Sequence, residues 1–332
     1  MKTIVLREHG AVDRLLLEDT PIPRPGPGQV LIKVESASVN YADIVRRRND
    51  PYPLPTVLPA VLGGEVAGTI ESVGDPTISL AIGTRVFALL PNGGVGGYAQ
   101  YAVADLASVI PIPAELDFDS ACTLVVAGVT AYQTLKQAGR IQPGDSVFIP
   151  GAAGGVGAYA VQLARLLGAG TIIASASTAE KREQALRLGA DHAIDYTDAD
   201  WPQQVRALTN GRGADVILEM AGGTSFNQSL SALAPFGRLV VYGTASRERS
   251  NLVPQQLLGP CQSVVGYYVG AWFAGQPQRS LEAFHTLAGY LIDGQINVEI
   301  GALLPLRDAA VAHTIIENRQ ASGKIVLKPW LD

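Results

Sequence analysis

The feature that most constrains this chain is the segment Pro150-Gly-Ala-Ala-Gly-Gly-Val-Gly157. It follows an apolar run at 145–150. It opens a stretch in which Val156, Ala160, Val161, Leu163, Ala164 and Leu167 recur at helical spacing. A strand that turns through glycines into a helix offers free backbone N–H groups and a positive dipole end, which together seat a diphosphate. Against the dinucleotide fingerprint G-x-G-x-x-G, Ala152 stands where the first glycine would be. Gly154 lets backbone approach a pyrophosphate, with Ala153, Gly155 and Val156 beside it, and Gly157 lets the helix pack closely on the sheet.

From residue 145 the chain alternates regularly. Strands are expected at 145–150, 171–175, 192–195, 215–219, 237–243 and 263–268. Helices are expected at 155–168, 179–188, 202–210 and 225–233. This alternation predicts an α/β fold with a doubly wound parallel sheet covered on both faces, and a dinucleotide across the carboxyl ends of its strands.

The flanks read differently. The first 120 residues are mostly short strands (2–6, 29–36, 66–73 and 84–89) broken by glycine and proline, which suggests a partly open β-barrel. A helix is expected at 118–137 with Asp119 or Ser120 as its cap. After residue 270 come helices at 278–293 and 309–318, the latter with Asp308 placed to cap it, and a strand at 324–327. The predicted organisation is a catalytic domain of residues 1–120 and 270–332, interrupted by a dinucleotide-binding domain of residues 121–269.

Composition narrows the classes of partner. The 332 residues carry a net charge of −5, which argues against nucleic acid or an anionic membrane surface as a partner. The one basic run, Arg46-Arg47-Arg48, reads as a solvated loop or helix end in preference to an anion site. Two cysteines, Cys122 and Cys261, make neither a disulfide framework nor a four-cysteine zinc site, so a reducing compartment, the cytoplasm, is expected. Residues 1–7 lack the apolar core of a signal peptide, and no apolar run reaches membrane-spanning length.

The second strand bears on the choice of cofactor. NAD sites usually carry an acid there for the ribose hydroxyls. Here the strand ends Ser175-Ala-Ser177-Thr178, with Lys181 and Arg182 shortly after. Hydroxyls with a nearby cation suit a 2′-phosphate, so NADPH is the expected cofactor.

At this point the residues resemble the quinone oxidoreductase branch of the medium-chain dehydrogenase/reductase superfamily, which includes zeta-crystallin. The matching segments are Ser38-Val-Asn-Tyr-Ala-Asp43, Leu62-Gly-Gly-Glu-Val-Ala-Gly68, Ala152-Ala-Gly-Gly-Val-Gly157, Leu188-Gly-Ala-Asp-His-Ala-Ile-Asp-Tyr196 and Ser322-Gly-Lys-Ile-Val-Leu327. They run along essentially the whole chain. The resemblance implies a GroES-like barrel split by a Rossmann domain, and a homodimer, for which 264–268 is a candidate pairing edge. It places Asn40 beside the nicotinamide, Ser177 and Lys181 near the 2′-phosphate, Tyr196 at the adenosine end, and Gly243 and Lys324 with Gly323 near the cofactor. Val45 departs from relatives that carry a tyrosine there.

The zinc enzymes of the superfamily hold their metal with cysteine, histidine and a further cysteine or acid. Here Asn40 occupies the first ligand position, Gly64-Glu65 replaces a His-Glu pair, and the four histidines are scattered. No metal is expected. Without a Lewis acid, alcohol oxidation is disfavoured, whereas quinones and enones already spread the incoming charge and need only hydrogen-bond donors. The candidate catalytic residues are Asn40 and Tyr52, the latter in Asp50-Pro-Tyr-Pro-Leu-Pro55 near an expected cleft. Tyr132 is placed at the nicotinamide or in the core. Asp43 and Glu65 read as structural acids, Glu65 as the partner of an arginine. The expected reaction is NADPH-dependent hydride transfer to a quinone or enone. Reduction of enoyl thioesters, with 267–268 and 272–278 setting the pocket, and a non-catalytic NADPH-binding module are the alternatives.

Overall fold

The computed structural model describes residues 1–331, and at 92 and 93 the backbone alone. The chain forms two compact units, Met1–Val126 together with the segment from Val298 on, and Ala127–Asn297.

The first unit is built on β1 (Lys2–Leu6), β2 (Leu15–Asp19), β3 (Gln29–Val39), β4 (Ala60–Val61), β5 (Glu65–Val73), β6 (Arg85–Leu89), β7 (Tyr101–Asp105) and β8 (Val109–Pro111), with helix α1 (Tyr41–Arg48) after β3. The alternation of Val30, Ile32 and Val34 puts all three at 0% exposure. They pack with Leu62, Ile70, Val86 and Tyr98 in one apolar core.

The second unit holds β9 (Ser146–Pro150), β10 (Thr171–Ser175), β11 (His192–Ile194), β12 (Ala214–Glu219), β13 (Leu233–Val241) and β14 (Ser263–Gly266). Its longer helices are α2 (Gly155–Leu166), α3 (Ala179–Arg187), α4 (Trp201–Leu208), α5 (Gly223–Ala232) and α6 (Pro277–Ile292). The six strands are parallel in the order β11-β10-β9-β12-β13-β14. The order reverses between β9 and β12, so the loop leaving β9 lies at the switch point where such sheets bind ligands. Phe148 stacks on Trp201 at 4.9 Å beneath the sheet. The chain then returns to the first unit through β15 (Ile300–Pro305), helix α7 (Ala309–Glu317) and β16 (Lys324–Lys328). There β16 pairs antiparallel with β3 to give a sheet ordered β15-β16-β3-β5-β6-β8.

Several expectations need correction. The boundary expected at 269/270 falls at 297/298. The cause is α6, which buries Ala283, Phe284 and Leu287, brings Ser280 to Gln133, and is followed by Asn297 bonded to Gln162. The single helix expected at 118–137 is instead a turn at Phe118–Ala121, a π-helical stretch at Leu124–Val129, one α-turn at Thr130–Gln133 and a second π-helical stretch at Thr134–Ala138. Its β-branched run Val125, Val126, Val129, Thr130 crowds regular winding. The cap is Asp117, whose carboxylate accepts from Ser120 N–H at 2.7 Å, rather than Asp119 or Ser120. Asp308 stands at the N-cap of α7 but makes no side-chain capping bond. Among the described residues no helix is long and apolar enough to cross a membrane.

Candidate active site

Gly151 turns the chain out of β9 in a left-handed conformation, φ 62°. The Gly154 N–H then donates to the Gly151 carbonyl at 2.9 Å, and the Ala152 N–H ties the turn to the Ser175 carbonyl at 3.0 Å. The Ala158 N–H makes the first bond of α2, to the Gly154 carbonyl. The N–H groups of Gly155, Val156 and Gly157 therefore stand ahead of the helical ladder, at its positive end. Ala153 is buried beside them. Along the next strands, Ser175 is fully buried with its Oγ unbonded, at the carboxyl end of β10. A Cβ at Gly243 would lie 2.7 Å from the Met220 carbonyl oxygen, so only glycine fits where β13 ends. A glycine-lined turn at the switch point and an orphaned buried hydroxyl fit a dinucleotide.

Thr178 caps α3, its Oγ accepting the Lys181 N–H at 3.3 Å. Ser177 and Lys181 are half-buried, and burial lowers the Lys181 ammonium below the ordinary lysine range. Arg182 bonds Asp195 at 2.7 Å and the Ala176 carbonyl at 3.2 Å, so it is committed within the fold. Tyr196 packs against the cluster of Phe148, Ile173 and Trp201. One residue that sequence reasoning passed over is Glu219, at 0% exposure. Its carboxylate accepts the Ala221 and Gly222 N–H groups, each at 2.8 Å, and the Ser229 hydroxyl at 2.7 Å, holding the turn from β12 into α5. The acid directly before Met-Ala-Gly-Gly was the available signal.

In the first unit β3 delivers Asn40 to the N-cap of α1, 8% exposed. Its Nδ2 donates to Glu65 Oε1 at 2.9 Å, and its Oδ1 accepts from Lys324 Nζ at 2.6 Å. Lys324, expected near the cofactor, is buried, with its ammonium on Asn40. It also donates to the Val39 carbonyl at 3.3 Å and lies 3.6 Å from Glu65 Oε1. The second Glu65 oxygen accepts the Val126 N–H at 2.8 Å. The partners of Glu65 are thus a lysine and an amide, not the expected arginine, because the closing strand β16 places Lys324 beside β3.

Asp43 is an acceptor, as read from sequence. It takes the Asn40 N–H at 2.9 Å, the Gly63 N–H at 3.3 Å and the Tyr98 hydroxyl at 2.9 Å, yet burial pushes its carboxyl up to about 6. Tyr98 in turn accepts from His313 Nε2 at 3.1 Å, a direction set by Tyr98 donating its only proton to Asp43. Burial, then the charges of Arg47 and Arg48, lower His313 to about 3, so it is neutral. The basic run is not solvated. Arg46 and Arg47 are 2% and 1% exposed, and Arg47 bonds Glu317 at 2.6 Å. Glu317 comes from α7, far away in sequence.

Tyr52 is half-buried, its ring 5.3 Å from the Arg46 guanidinium. In the second unit Tyr132 is half-buried, and Tyr267 stacks on Trp272 at 6.0 Å while its hydroxyl donates to Gln133 at 2.8 Å. Among the described residues no three histidine, cysteine, aspartate or glutamate side chains converge as a metal site.

Comparison with known proteins matches these two units to two families. Residues 26–114 match the alcohol dehydrogenase GroES-like domain, and residues 155–286 match the zinc-binding dehydrogenase domain. The chain is 34% identical over 329 residues to 2-haloacrylate reductase of Burkholderia sp, covering 98% of each. It is 31% identical to human quinone oxidoreductase, covering 98% of this chain and 97% of that one. It superposes on Escherichia coli quinone oxidoreductase complexed with NADPH with a TM-score of 0.91 at 26% identity, covering 99% of this chain and 100% of that one. This chain belongs to the quinone oxidoreductase branch of the medium-chain dehydrogenase/reductase superfamily.

Proposed function

We propose that this protein uses NADPH to reduce small α,β-unsaturated carbonyl compounds, quinones or enones, without a metal. NADPH, when bound, supplies the hydride. The N–H groups of Gly155 and Val156 hold the diphosphate, Ser175, Ser177 and Lys181 receive the ribose phosphate, and Tyr196 and Gly243 border the nucleotide. Asn40 offers an amide N–H to the carbonyl oxygen that gains charge, and Tyr52 lines the acceptor's side.

The observation that carries the reading is the donor set around Asn40. It consists of an amide, an ammonium and one carboxylate bonded to one another, with Lys324 Nζ 2.6 Å from Asn40 Oδ1. A resident ammonium repels a dication, and an amide is a poor zinc ligand. Such a set favours acceptors that delocalise their own charge. The names of two relatives agree in this respect, since a quinone and a 2-haloacrylate are both activated alkenes conjugated to a carbonyl group.

The test is NADPH consumption with 9,10-phenanthrenequinone, a simple enone and an enoyl thioester, beside Gly154→Asp. Turnover of quinone or enone, with NADPH binding lost in the variant, supports the reading. Preference for the thioester moves the protein to enoyl reduction. NADPH binding with no turnover on any acceptor makes it a binding module. We also propose a homodimer paired through β14, the open edge of its sheet, which light scattering would report.

A further inference from the structure

Asn40 sits between two opposite charges. Lys324 Nζ meets its Oδ1 at 2.6 Å, and Glu65 Oε1 meets its Nδ2 at 2.9 Å. Lys324 and Glu65 are 4% and 0% exposed, so water screens neither strongly. This has two consequences. The amide has one orientation, because a flip would set its NH2 against an ammonium and its oxygen against a carboxylate. The amide is also polarised. The cation at its oxygen favours the charge-separated resonance form, which makes the remaining N–H a stronger donor, while Glu65 fixes the other N–H in place. Nδ2 carries two protons, and Glu65 takes one of them.

We infer that Lys324 and Glu65 are positioning residues that orient and polarise Asn40, so that its second N–H stabilises the oxyanion formed on the reduced acceptor. This rests on the function proposed above. In the reaction the C4–H bond of NADPH breaks and its electron pair forms a C–H bond at the acceptor's electrophilic carbon. The acceptor's π electrons move to the carbonyl oxygen, and that oxyanion takes the Asn40 hydrogen bond. A solvent proton completes the reduction, and NADP+ is left. Lys324 thereby acts on the acceptor through Asn40 and not on the cofactor phosphates.

The experiment compares wild type, Lys324→Met, Lys324→Arg and Glu65→Gln at saturating NADPH on a series of quinones and enones whose oxyanions differ in basicity. Each variant's NADPH Kd and Tm are measured alongside. Lys324→Met is expected to lower kcat about 10- to 100-fold, as loss of an oxyanion donor does. The loss grows with oxyanion basicity, NADPH Kd changes by less than about twofold, and Lys324→Arg recovers most of the rate. Glu65→Gln keeps an acceptor for Asn40 but sets its NH2 against the Val126 N–H and so loosens the hold on the amide, and a smaller loss with the same dependence on basicity is expected. An equal loss on every acceptor, or a Kd raised about tenfold with kcat unchanged, overturns the inference. If Lys324→Met does not fold, the basicity dependence in Glu65→Gln decides alone. Wild type that reduces none of the acceptors refutes the proposed function instead, which keeps the two failures apart.

Discussion

A Cβ placed on Gly157 would lie 2.3 Å from the carbonyl oxygen of Gly151 and 2.7 Å from the Ala152 Cα. Both neighbours are backbone in the turn that carries the proposed diphosphate seat, so neither can swing aside. Gly157→Ala is expected to destabilise the protein by about 2 kcal/mol, as overpacking does. It should also raise NADPH Kd at least about tenfold, because the turn and the helix must separate. Thermal unfolding and a binding titration check both, and unchanged Kd would detach this turn from the nucleotide.

Lys181 is the cation at the proposed 2′-phosphate. Lys181→Ala should weaken NADPH about 10- to 100-fold, the worth of one charge-assisted hydrogen bond, and leave NADH within about threefold. Because burial lowers its ammonium's pKa, NADPH affinity should fall with rising pH earlier than an exposed lysine would allow. Parallel titrations with the two cofactors across alkaline pH read both effects.

His313 and Asp43 make opposite contributions in acid. Folded His313 stays neutral down to about 3, whereas the unfolded residue takes a proton near 6.5, so stability falls as pH drops across that interval. Folded Asp43 keeps its proton up to about 6 against an ordinary 3.8, so its contribution falls as pH rises across its own interval. The histidine shift is the larger and corresponds to a loss on the order of 4 kcal/mol by pH 3. His313→Phe should flatten the acid limb of a Tm-against-pH curve, and an unchanged limb would count against a buried neutral histidine.

Glu219→Ala removes the acceptor for two backbone N–H groups and a buried hydroxyl. A cost of roughly 2–4 kcal/mol is expected, since the orphaned donors stay desolvated. Denaturant unfolding measures it, and a change under 0.5 kcal/mol would show that water replaces the carboxylate.

The nucleotide unit was readable because its signals are local. The strand at Thr171–Ser175 and the start of α2 at Gly155 came directly from apolar runs bounded by glycine and polar residues. The Asn40 site was only half readable. Its residue types were visible in the sequence, but the bond from Lys324 spans 284 positions, and no periodicity reports such a pairing. The same distance effect hid the burial of Arg46 and Arg47. A basic run looks solvated until Glu317 of α7 comes to meet it. The irregular winding at 124–138 escaped because each π-helical stretch is little more than one turn long, and apolar spacing does not register a single wider turn.

The strand that closes the barrel arrives late. Lys324 meets the Val39 carbonyl across 285 positions. During synthesis β3 is therefore made long before its neighbour β16, with the whole nucleotide unit emerging in between. That unit can complete its own sheet while the first half-barrel waits with an open edge. The Asn40–Lys324 contact is thus among the last to form, and chains that stall before β16 lack it.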